Sequence, residues 1–197
     1  MSFDKAYSYT LKWEGGYSND PHDHGKETYK GISRVWWPDW EGWKTIDRAK
    51  RNSGFEKTLL TNKELDDHVR AFYIKNFWGP IKGEDISSLS EDVAAEVFDA
   101  AVNMGVKRAS KYFQKALNVF NRNGTKYADI TVDGSIGPNT LKLYKLFMNN
   151  NSDDLMMKAL LIQRGGFYME RAVDEPSQER FIRGWLNRLV VEKFNED

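Results

Sequence analysis

Ser2-Phe3-Asp4-Lys5-Ala6-Tyr7-Ser8-Tyr9-Thr10-Leu11-Lys12-Trp13-Glu14-Gly15-Gly16 decides the fold class. Phe3, Tyr7 and Leu11 recur every four residues, the spacing of one helix face, which predicts a first helix of about three turns. Gly15-Gly16 stops it, because glycine accepts the left-handed conformation of a helix C-cap. Outward from there, residues 15–60 hold Pro21, Pro38 and six glycines and read as irregular, with one strand pair around Thr28–Ser33. Helical spacing then resumes and continues to the end. Thr61-x-x-Glu64 is a capping box before a face of Leu65, Val69, Phe72 and Asn76. Ser90 caps a helix carrying Val93, Ala94, Val97, Ala101 and Val102, which Gly105 closes. Ala109, Phe113, Ala116, Leu117 and Phe120 form the inner face of the next. Asn121-Arg122-Asn123-Gly124 is turn chemistry. Pro138 after Gly137 opens another helix, and Ser152 and Ser177 cap the last two. The sum is a mainly α chain of about seven helices with a small β-hairpin after the first.

Composition narrows the function. The 197 residues suffice for one large domain or two small ones. Lys+Arg and Asp+Glu number 29 each, and zero net charge disfavours a dedicated nucleic-acid binder. No apolar run is long enough to span a bilayer. The first residues lack the basic-then-apolar order of a cleavable signal. Absence of cysteine removes thiolate nucleophiles and disulfides. The charge is unevenly placed: between Gly105 and Lys145 stand eight basic residues against Asp129 and Asp133. A module of that kind suits an anionic polymer, although a solvated helix face explains it equally well. Trp36, Trp37, Trp40 and Trp43 fall within eight residues. Core is the simpler reading of most of them, and sugar stacking the other.

Glu14 is the first candidate for chemistry. Eleven residues after Phe3, it returns to the apolar face of a continued helix. Burial and the negative end of the helix dipole both raise a carboxyl pKa there, as a glycosidase general acid requires. Asp20-Pro21-His22-Asp23-His24-Gly25 invites a metal reading, but its spacing matches no zinc pattern. Turn chemistry accounts for it, and either aspartate could supply the second carboxylate that most glycosidases use. No phosphate loop, nucleophile elbow or metalloprotease helix occurs.

Trp13 to Gly25, continued by Thr28 and Gly31-Ile32-Ser33, resembles the opening signature of the glycoside hydrolase family 108 N-acetylmuramidases of the lysozyme-like superfamily. Gly25-Lys26 stands where that family usually has Gly-Gly. Phe77-Trp78-Gly79-Pro80 fits as well. Phe98 to Gly105, Phe113-Gln114-Lys115-Ala116-Leu117, Val132 to Leu141 and Gly184-Trp185-Leu186-Asn187-Arg188 are similar to the peptidoglycan-binding region that accompanies the family.

The resemblance implies a lysozyme-like fold, with a muramidase region over residues 1–90 and a helical wall-binding region over 91–197, packed as one unit. It implies hydrolysis of the β-1,4 bond between N-acetylmuramic acid and N-acetylglucosamine, with Glu14 as catalytic acid. Asp23 and Thr28 are the nearest counterparts of the assisting Asp and Thr, with Asp20 competing. Tyr17, Asp20, Asp99 and Asn103 are expected along the substrate cleft, Asp99 being equally readable as a buried structural residue. No cofactor or metal is expected. Peptidoglycan is the expected partner, with no nucleic acid and no stable membrane insertion. Synthesis in the cytoplasm and action at the wall imply a holin or a dedicated export system. Lytic transglycosylase chemistry and a non-catalytic wall-binding protein are the alternatives.

Overall fold

A computed structural model describes residues 2–12, 14–20 and 25–189. Among them the chain is mainly α, with ten α-helices and one three-stranded antiparallel sheet directly after the first helix. Helix α1 (Ser2–Leu11) buries Phe3, Ala6, Tyr7 and Thr10. Strands β1 (Tyr17–Asn19), β2 (Glu27–Tyr29) and β3 (Ile32–Ser33) follow in spatial order. Tyr17 pairs with Tyr29, and Tyr29 with Ile32. The expected strand pair is β2–β3; β1 adds a third strand.

The stretch read as irregular also contains α2 (Gly42–Ala49) and α3 (Phe55–Leu60), which is one reason the helix count exceeds seven. Their apolar faces are only two turns long, too short to show a period. Helix α4 (Lys63–Tyr73) starts one residue later than expected: Asn62, not Thr61, is the cap, its side chain accepting from the amide of Leu65 at 2.9 Å. A π-helical turn, Ile74–Trp78, continues α4. It turns Trp78 inward against Phe3 and Phe98, with ring centroids 5.6 and 5.7 Å away. Helix α5 (Gly83–Ser87) passes so close to the Trp78 ring that Gly83 has no room for a Cβ.

Helix α6 (Glu91–Met104) is the axis of the molecule. Ser90 caps it as expected, accepting from the amide of Val93. It packs against α1, α5, α7 (Val106–Val119) and α9 (Asp153–Asp174). Contact on so many sides buries Glu96 and Asp99 together with its apolar residues. Helix α8 (Pro138–Met148) has its proline in the first turn. A 3-10 turn, Pro176–Phe181, leads into α10 (Ile182–Asn187).

The Asp133-Gly134-Ser135 segment between α7 and α8 serves the fold. The Gln114 amide donates to Asp133 and to the carbonyl of Ser135, while its oxygen accepts from the amide of Gly134. Gly134 lies against Lys107; a Cβ there would sit 2.7 Å from Lys107 Cγ. The stems of Lys107 and Lys111 are therefore partly covered by this turn, and Arg108 lies 4.1 Å over the Phe167 ring. The basic face of α7 is thus not one open stripe.

Candidate active site

Glu14 is not on the apolar face of α1. The helix ends at Leu11, and Glu14 sits in the bend beyond, its amide donating to the Leu11 carbonyl at 3.2 Å. Its burial comes from the β2–β3 turn. Lys30 and Gly31 both have positive φ, 43° and 76°, the signature of the mirror-image two-residue turn that matches strand twist. Gly31 lies against Glu14: a Cβ there would stand 2.6 Å from Glu14 Oε2 and 2.8 Å from the Tyr73 hydroxyl. Tyr73 clamps the same turn, donating to the Lys30 carbonyl at 2.8 Å.

Beneath Glu14 runs a chain of five charges. Arg188, just past α10, reaches Glu14 Oε1 at 3.4 Å and Asp99 Oδ1 at 2.7 Å. Asp99 also receives a bond from Arg164 of α9, which donates to Glu96 at 2.9 and 3.1 Å and to the Tyr168 hydroxyl at 2.8 Å. The order is Glu14–Arg188–Asp99–Arg164–Glu96, three carboxylates and two guanidiniums. Asp99 stands between both cations. Burial works to raise its pKa, but the hydrogen bonds and charge of Arg188 and Arg164 outweigh burial and hold it below the usual range. Each end carboxylate shares its arginine with Asp99. Burial raises Glu14, Arg188 opposes this, and Asp99 adds to the rise; the balance is upward. Glu96 is raised by burial likewise. The two end carboxyls are thus the ones pushed upward and the central one downward. Of those ends only Glu14 opens to solvent, with its side chain 20% exposed against 4% for Glu96.

The other predicted residues are dispersed around this chain. Asp99, expected along the substrate cleft, is instead completely buried, a structural carboxylate held by Arg188 and Arg164 and joined to Glu14 through Arg188. Asn103 is exposed on the last turn of α6 and accepts from the Tyr168 hydroxyl at 2.6 Å. Thr28 is half-buried in β2, opposite Ser18 and Ser33. Tyr17 is committed to the sheet: it donates to Glu27 at 3.2 Å and packs edge-on against Phe55. Asp20 is exposed after β1. Asp23, like His22 and His24 of the metal reading, lies outside the described residues. Among the described residues no group of three His, Cys, Asp or Glu is placed to hold a metal. The tryptophans divide: Trp43 is buried and Trp36 is 70% exposed.

Tyr73, Glu96, Arg164 and Arg188 are the residues that sequence reasoning missed. A signal for three of them exists. Glu96 and Asp99, one turn apart among Val, Ala and Phe, demand cationic partners if that helix is buried. Arg164 and Arg188 each sit in otherwise inward-facing or motif-bearing helical segments.

The family described as glycosyl hydrolase 108 matches residues 7–105. A family described as a predicted peptidoglycan domain matches residues 108–190. No curated protein matches the chain. The solved structure of SagA from Brucella abortus has the same fold, with a TM-score of 0.61 and 24% identity over 95% of this chain and 88% of that one. Among the described residues no helix is long and apolar enough to cross a membrane.

Proposed function

Because the chain belongs to the glycosyl hydrolase 108 family, we propose that it cleaves the β-1,4 bond between N-acetylmuramic acid and N-acetylglucosamine with Glu14 as general acid. That it is a glycoside hydrolase acting on peptidoglycan follows from the two families together; bond and residue are our reading. The observation that carries it is the geometry: Glu14 is the solvent-open end of the buried charge chain, covered by the Gly31 turn and 3.4 Å from Arg188, and burial raises its pKa. A neutral carboxylic acid gives its proton to the glycosidic oxygen as oxocarbenium character develops at the anomeric carbon. The carboxylate left behind is adjacent to Arg188, whose positive charge stabilises it. Water attacks the anomeric carbon and loses its proton to a carboxylate. We assign that carboxylate to Asp23, with Thr28 orienting the water and Asp20 as competitor.

Catalysis is assigned to residues 1–90 and wall binding to 91–197, the second part lending Arg188 to the acid of the first. Tyr17 and Asn103 are assigned to the walls of the substrate cleft. Action is at the cell wall, reached through a holin or a dedicated export system. The test is Glu14→Gln on purified peptidoglycan. We expect reducing ends to stop appearing while the variant still sediments with walls. Turnover within tenfold of the parent removes Glu14 from the role. Anhydro-sugar products from the parent replace hydrolysis by transglycosylation.

A further inference from the structure

The segment from Gly105 to Lys145 contains eight cations, none in an ion pair among the described residues. Two of them, Arg122 and Lys126, line a cavity of about 150 Å³ between the end of α7 and the end of α8. Phe120 and Leu146 supply its apolar lining. Asn150 and Asn151 line it too; their side-chain N–H groups already donate to the carbonyls of Leu146 and Phe147, at 3.0 and 2.9 Å. Their Oδ1 atoms are left as acceptors. The Tyr127 hydroxyl is spent on the Leu117 carbonyl at 2.7 Å.

The loop that forms this cavity is fixed. Buried Asn121 accepts from the amide of Gly124 at 3.0 Å and donates to Asp129. Arg122, Asn123 and Gly124 all have positive φ, 53°, 55° and 76°. Asparagine and glycine adopt that conformation readily, and arginine does so against a steric penalty. Lys26, Lys30 and Lys82 share that conformation; at residue 122 it sets the course of the loop that brings the Arg122 cation to the cavity.

Two cations, two amide acceptors and an apolar patch complement a carboxylate, backbone N–H groups and a small apolar side chain. That is the end of a peptide. An uncharged glycan would leave both cations without a partner, and ~300 Å³ or more is usual for a larger ligand. We propose that this cavity binds the carboxylate-bearing end of a short anionic peptide, the uncross-linked stem peptide of peptidoglycan. Arg122 and Lys126 meet the carboxylate, and Asn150 and Asn151 accept its N–H groups. The choice of peptide rests on peptidoglycan being the polymer this chain acts on.

The test uses the full chain carrying Glu14→Gln, so that nothing is cut, and isothermal titration. The probes are a synthetic stem tetrapeptide ending in D-alanine, the same peptide with its carboxylates amidated, and inorganic phosphate. We expect the acid to bind, the amidated form to bind at least tenfold more weakly, and phosphate to compete poorly. Adding Arg122→Gly and Lys126→Gln should abolish binding. Arg122→Gly relieves the backbone, so its melting temperature should hold or rise, and Lys126→Gln alone should weaken binding without touching the turn. Equal binding by parent and variants, indifference to amidation, or equal competition by phosphate overturns the site. The unmodified chain is assayed separately on whole walls. Hydrolysis without peptide binding sinks this site alone, whereas peptide binding without hydrolysis sinks the hydrolase reading alone.

Discussion

Two regions of the molecule treat arginine in opposite ways: the buried cluster under Glu14 and the surface around α7 and α8. Under Glu14, Arg164 and Arg188 are buried and each is shared between two carboxylates. Around α7 and α8, Arg108 and Arg122 are exposed and neither makes an ion pair among the described residues. In the first setting low dielectric makes every unit of charge count, and the five groups are coupled to one another. In the second, water screens each cation, so each exerts only a weak attraction.

Breaking the buried cluster should have the largest effect. Arg164→Met leaves Glu96 without its cation and halves the support of Asp99, and should cost about 3–5 kcal/mol of stability in urea denaturation. A loss under about 1 kcal/mol would mean that Glu96 simply takes up a proton and the chain is not a coupled unit. Gly31→Ala attacks the same cluster from above. Its Cβ has no room beside Glu14 Oε2 and its φ is positive. Displacing the acid by ~1 Å should cost roughly 100-fold in turnover, and an active variant would show that the turn can open freely.

A smaller effect distinguishes tuning from support. Arg188→Gln removes the charge that opposes the raised pKa of Glu14, so the alkaline limb of the pH–rate profile should move to higher pH while the maximal rate falls. Arg188→Lys should restore part of both. A purely structural arginine would change the rate without moving the limb. Stability follows the same sign. A carboxyl whose folded pKa is raised contributes fully below its unfolded value and loses that contribution as pH rises through the folded one. Glu14→Gln should therefore be no less stable than the parent at neutral pH, its relative advantage growing between acid and neutral pH in thermal melts.

The smallest effect belongs to the exposed cluster. Replacing Lys107, Arg108, Lys111 and Lys115 by Gln should weaken wall sedimentation at low salt and flatten its salt dependence, with little change in cleavage of a short soluble glycan. An unchanged salt slope would make α7 an ordinary solvated face. The cover that Gly134 and Phe167 provide makes a partial loss the expected result.

Local signals carried much of this into the sequence. The four-residue spacing of Phe3, Tyr7 and Leu11, the Ser90 cap and Pro138 each act within a few residues, so α1, α6 and α8 were legible. Helices α2 and α3 were not, because short helices lack a readable period. The expectation that Glu14 is a buried carboxyl agrees with the structure, but the cause of its burial differs. Its pKa is raised by burial, but the turn at Gly31 buries it, not the end of a helix. Arg188 stands 174 positions from Glu14. No local period reports a contact at that distance, and only the oddity of two acids in an apolar helix hinted that a distant cation was needed.

That separation also sets a schedule. Arg164 follows Asp99 by 65 positions and Arg188 by 89, so during synthesis Asp99 precedes both of its cations and Glu14 precedes its guanidinium by 174 positions. The surroundings of Glu14 assemble as α10 docks, with the Tyr9 hydroxyl donating to the Arg188 carbonyl at 3.0 Å to hold it in place. If Glu14 is the acid, a fragment that stops before residue 188 lacks the guanidinium beside it.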